Sequence, residues 1–152
     1  MSYSTGQARQ DVLDILAEAI DEIAVALAAL GAAYEQLGTA PADRLEEELF
    51  QPVQAAYGRA KRTHACFAQR QGLAERAFAP ADAGLPSTGV RGFIENAVEG
   101  TAQADSILSE LQDSMLPVEV GDAELRAGLS EVRELLGVVA PRAHEFVRTL
   151  GR

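Results

Sequence analysis

The side chains of this sequence best suited to acid–base, nucleophilic or metal chemistry are two histidines and one cysteine: His64, His144 and Cys66. Imidazoles joined to carboxylates bind zinc, iron or haem. Each histidine lies a little over twenty residues into a helical segment, so on parallel helices the two would stand at a similar height. Asp11, Asp14, Glu95 and Glu99 would then come from oppositely running helices at the same end. That makes His64 and His144 the nearest approach to a metal, haem or small-molecule site. The Glu-x-x-His pair of di-iron bundles is missing, because Lys61 and Pro141 stand three residues before the histidines. The expectation is that the chain carries no metal and no cofactor.

Other chemistries find less. Cys66 lies one turn from Arg62 and from Arg70, cations that favour a thiolate, but a lone cysteine in an alanine-rich helix reads first as a small packing residue. Arg59-Ala-Lys-Arg-Thr-His64 has an Arg-x4-His spacing and resembles the short motif of helical HEPN-type ribonucleases. The likeness spans these six residues, with Ala60 where the motif usually carries a polar side chain. It would imply RNA cleavage, which a net charge of −10 opposes. Neither histidine is followed by the basic residue and glycine of a phosphotransfer helix, and no phosphate-cradling glycine loop or nucleophile elbow occurs. No catalytic residue is therefore assigned.

Charge placement is more informative. Arg59, Lys61, Arg62, Arg70 and Arg76 form a basic patch relieved only by Glu75, while the first segment carries Asp11, Asp14, Glu18, Asp21 and Glu22. In a helical hairpin these two sets would face each other and set the register; alternatively the patch receives an anion or an acidic partner. The overall acidity excludes nucleic acid and disfavours anionic lipid. A single cysteine excludes an internal disulfide and fits a reducing, cytoplasmic setting. The polar start, Met1 to Gln10, holds no apolar signal core, and the longest apolar run, Ile23 to Ala33, is about half of the roughly 20 residues a membrane span needs. Twelve arginines to one lysine is a composition associated with GC-rich bacterial genomes.

The elements that must position these groups follow from an unbroken 3-4-3-4 apolar repeat in three stretches. They are Leu13-Leu16-Ile20-Ile23-Leu27-Leu30-Tyr34-Leu37, Val90-Ile94-Ala97-Thr101-Ala104-Leu108-Leu111-Met115, and Leu125-Leu129-Val132-Leu136-Val139-Ala143-Phe146-Leu150. Such spacing lies on one helix face and is useless to a strand, whose side chains alternate. A weaker stripe, Leu49-Val53-Ala56-Ala60-Thr63-Phe67, is flanked at intervals of seven by Phe50, Tyr57, His64, Gln71 and Phe78. The chain, 152 residues long, reads as one all-α domain, an antiparallel up-down-up-down four-helix bundle with helices at about 6–37, 40–71, 89–116 and 122–150.

Ser4 or Thr5 should cap the first helix, Gly38 should end it in a left-handed turn, and Thr39 should cap the second, with Pro41 in its first turn. Pro52 should bend the second helix and Pro141 the fourth, where Gly137 yields most easily. Gly72 is the expected break, 73–79 one or two further turns, and 80–88 a loop. Pro117 should stop the third helix and Asp122 cap the fourth.

From Ile23 to Ala33 no polar side chain occurs, so even the face away from the seam is apolar. A helix apolar all round is normally buried all round. Ile23, Val25, Ala28, Ala29 and Ala32 are accordingly the expected interaction surface, most simply of a homodimer. The functional expectation is a non-catalytic interaction or scaffold module, with a bundle holding a small molecule, metal or haem near His64/His144 as the alternative.

Overall fold

The computed structural model describes residues 5–150, which are all-α with no strand among them. The N-cap expected at Ser4 or Thr5 lies outside the described side chains. Helix α1 (Thr5–Glu35) is followed by α2 (Thr39–Leu45), a π-helical turn at Glu46–Phe50 and α3 (Gln51–Gln71), which form one continuous rod. An irregular connector and a 3-10 turn at Pro86–Thr88 lead to α4 (Gly89–Asp113). Then come the short α5 (Leu116–Glu119), α6 (Ala123–Gly137) and α7 (Val139–Leu150). Among the described residues no helix is long and apolar enough to cross a membrane.

Both internal prolines leave the marks their chemistry requires. Pro52 has no N–H to give the Glu48 carbonyl and crowds it. The rod widens there, with the Gln51 amide reaching back to the Glu46 carbonyl, and the Glu48 carbonyl instead accepts from Arg142 Nη1 at 3.2 Å. Pro141 interrupts the fourth rod at Val138, between Gly137 and Val139. Gly72 closes α3 in the left-handed conformation (φ 67°). Asp122 caps α6, its Oδ1 accepting from the Leu125 amide at 2.9 Å.

Three local expectations are corrected. Gly38 is extended (φ −69°, ψ 170°) and is itself the residue that precedes α2, so Thr39 is already helical. The chain leaves α1 through 3-10-type bonds from Gln36 and Leu37 to the carbonyls of Ala33 and Tyr34, and no left-handed residue is needed. α4 ends at Asp113, and Pro117 opens the short α5 rather than stopping the long helix, since a proline in a first turn forfeits no hydrogen bond. No helix forms between Leu73 and Leu85.

That last point follows from the topology, in which the third rod runs opposite to the expected direction. Near one end of the bundle, Gln36 Nε2 at the finish of α1 donates to the Pro86 carbonyl just before α4 at 2.9 Å. Midway, a Cβ built on Gly100 would meet the Glu22 carbonyl oxygen at 3.0 Å and the Ala26 Cβ at 3.3 Å, so α4 descends closely alongside an ascending α1. α3 runs antiparallel to the last rod: Arg44 bonds Thr149, Arg59 bonds Glu131, and Arg70 bonds Asp122. α4 and α6 are tied by Arg133 to Asp105 and Gln112. The order is therefore up, down, down, up, with a single long crossover, instead of up, down, up, down.

From Gly72 to Gly89 the crossover must climb about 45 Å, the length of α1 at 1.5 Å per residue. Its seventeen peptide links reach about 56–61 Å fully extended. Helical turns at 73–79 would use up that reach, which is why this segment stays irregular. It also packs: Leu73, Phe78 and Ala83 lie half-buried against the core. That core is built on Leu13, Leu16, Ile20, Ile23, Leu30, Phe67, Phe93, Ile94, Leu108 and Phe146, all essentially inaccessible. Each such side chain contributes about 1.5–3 kcal/mol.

Candidate interaction surface

The crossover explains why α1 is apolar on every side. α3 covers one flank, α4 the other, and the strap crosses the outside. Arg76 clasps Asp21 of α1 with two bonds, at 3.1 and 3.2 Å. Higher up, Asp82 and Ala83 border a groove with Glu22, Val25 and Ala29 of α1 and Gly100 of α4. Of the five residues expected on an interaction surface, Ile23 and Ala29 are in the core at 0% and 2% exposure. Ala28 and Ala32 are half-buried, and Val25 alone is open, at 39%.

The basic patch binds the fourth rod rather than α1. Arg59 Nε meets Glu131 Oε2 at 2.7 Å, and Arg59 Nη1 donates to Thr63 Oγ1 at 2.9 Å. Arg70 grips Asp122 through both oxygens, at 2.9 and 2.8 Å, and reaches Glu124. Burial pushes the Asp122 carboxyl up, yet the bonds from Arg70 and the Leu125 amide outweigh it and hold it below its ordinary range. Lys61 lies over the Tyr57 ring, 4.2 Å from its centroid, and Arg62 is exposed. Only Arg76, on the strap, pairs with the acidic face of α1.

The two histidines are not brought together. His64 sits low on α3, near Leu13 and Asp14, whereas His144 lies on α7 toward the opposite end. Because these rods are antiparallel, the two are about 25 Å apart along the bundle at 1.5 Å per residue. Among the described residues no group of three or more His, Cys, Asp and Glu is placed to hold a metal. Cys66 is exposed on α3 beside Arg62 and Arg70.

One groove was not found by residue type. Where Pro141 breaks the fourth rod, α7 and the first half of α4 leave an open groove of about 340 Å³. Its floor and walls are Ile94, Val98, Ala140, Ala143 and Val147, with Glu95 and His144 as the polar rim. The signal was present as Ala140 beside the seam, but a heptad count assigns such flanking positions to solvent. No protein-family model, curated protein or solved structure matches this chain.

Proposed function

We propose that the protein is a non-catalytic interaction module, and that the groove between α4 and α7 receives an amphipathic helix of a protein partner. The observation that carries this reading is the lining: five apolar side chains in a row along two helices, with charge confined to the rim. A helix docking by its apolar face is recognised in this way, through anchors spaced three and four apart. The reducing setting implied by a lone cysteine makes the cytoplasm its place of work. Self-association through α1, the simplest expectation from sequence, now has only Val25 with the flanking alanines to draw on.

A small apolar molecule is the second reading, favoured by His144 at the rim and by a volume at the low end of the roughly 300–1,000 Å³ typical of such sites. The groove is open along its length, which suits a helix better than a molecule needing enclosure. The test is a photo-crosslinking residue in place of Val147, with one in place of exposed Arg126 as control, in cells expressing the protein. A discrete crosslinked protein at position 147, absent at 126 and abolished by Ala140→Glu, is the expected result. Equal labelling at the two positions removes the groove as a docking site. Crosslinking to a second copy alone replaces the foreign partner with a homodimer.

A further inference from the structure

We infer that residues 73–88 form a strap over α1 whose grip is released when His64 takes up a proton. Beneath the strap His64 is 3% exposed, and its Nδ1 is buried with no hydrogen-bond partner among the described residues. The Phe78 ring stands edge-on to the imidazole, with centroids 5.2 Å apart and planes at 87°. The Arg76 guanidinium covers that same Phe78 ring at 4.6 Å while bonding Asp21. One clasp thus joins an imidazole, an aromatic ring, a cation and a carboxylate from three elements, α3, strap and α1.

The groups facing the imidazole come from every side. α1 supplies the Leu13 carbonyl and Asp14, the strap supplies Glu75 and Arg76, and Lys61 lies one turn earlier on the histidine's own helix. Burial and the Arg76 charge push the His64 pKa down, against the upward pull of the Leu13 carbonyl, Asp14 and Glu75, and the net direction is downward. With the strap lifted, the ring meets water and titrates near its ordinary value of about 6.5. Above that value both states are neutral and the strap stays closed. Below it, the released state binds a proton that the closed state resists. The closed-to-released ratio then falls by up to about tenfold per pH unit until the lowered pKa of the closed state is reached, and is flat beyond it. Release widens the exposed apolar face of α1 that Ala83 borders, from the already open Val25 toward Ala29. The inference is independent of what the α4/α7 groove binds.

The test is limited digestion by a protease active from pH 5 to 8, with cleavage sites mapped by mass spectrometry. Rates are normalised at each pH to a free peptide of the strap sequence. From pH 7.5 to 5.5, normalised cleavage within 73–85 should rise, by no more than about tenfold, and His64→Gln should be flat. Phe78→Ala, which removes the ring contact without removing the titrating group, should be cut faster at pH 7.5 and lose most of the pH dependence. This second variant decides the matter if His64→Gln fails to fold. The inference is overturned by a pH-independent wild type, by an equal rise in His64→Gln or Phe78→Ala, or by cleavage spreading into α1 and α4, which would mark global unfolding.

Discussion

A close approach between α3 and α6 rests on one residue without a side chain, Gly128. A Cβ on Gly128 would overlap Thr63, lying 2.8 Å from its Cγ2 and 3.1 Å from its Cβ. Thr63 has little freedom to give way: it is 3% exposed, its hydroxyl donates to the Arg59 carbonyl, and it accepts from the Arg59 guanidinium. Overfilling a packed contact of this kind costs about 1–3 kcal/mol. Gly128→Ala should therefore lower the unfolding free energy measured by urea denaturation by that much, and adding Thr63→Ala should recover a substantial part of the loss. Strict additivity of the two changes would show that the two residues do not press on each other. The same contact is why Arg59 belongs to the α3–α6 seam: its charge is tied to Glu131 and Thr63, and it is spent on structure before it is offered to any ligand.

At the scale of elements, the apolar repeat located every long helix, and Pro52, Gly72, Asp122 and Pro141 each marked a real feature of the backbone. What could not be read was direction. A 3-4 repeat is the same whether the helix runs up or down, and a sixteen-residue connector is compatible with either a loose loop or a taut crossover. That one ambiguity placed His64 beside His144. The partners of Arg59 and Arg70 were missed for another reason, since α1 and α3 are antiparallel as expected but these arginines lie on the face of α3 turned toward α6. The apolar width of α1 was legible, but not that the chain lays a strap of its own across it, with Arg76 on Asp21 and Ala83 beside Val25 and Ala29. A taut crossover makes an asymmetric prediction about length. Deleting 79–82 leaves a reach of about 43–47 Å, no more than the climb requires, and should destabilise the fold severely. Inserting four Gly/Ser residues at the same place should cost less than about 1 kcal/mol, since loop entropy grows slowly with length. Chemical denaturation of both variants checks this, and a tolerated deletion would mean the segment does not span the bundle.

For the molecule as a whole, the account depends on the third rod descending beside an ascending α1. The strap, the enclosure of Ile23 and Ala29 and the pairing of α4 with α7 around the open groove are all consequences of that direction. Pulsed electron–electron resonance measures it without appeal to stability. In a Cys66→Ser background, one spin label replaces Arg91 at the start of α4 and a second replaces either Glu35 or Gln7, at opposite ends of α1. A descending third rod predicts a separation below about 20 Å for the 91/35 pair and about 40 Å for the 91/7 pair. The reverse ordering, with residue 91 close to residue 7 and far from residue 35, would contradict the crossover and everything built on it.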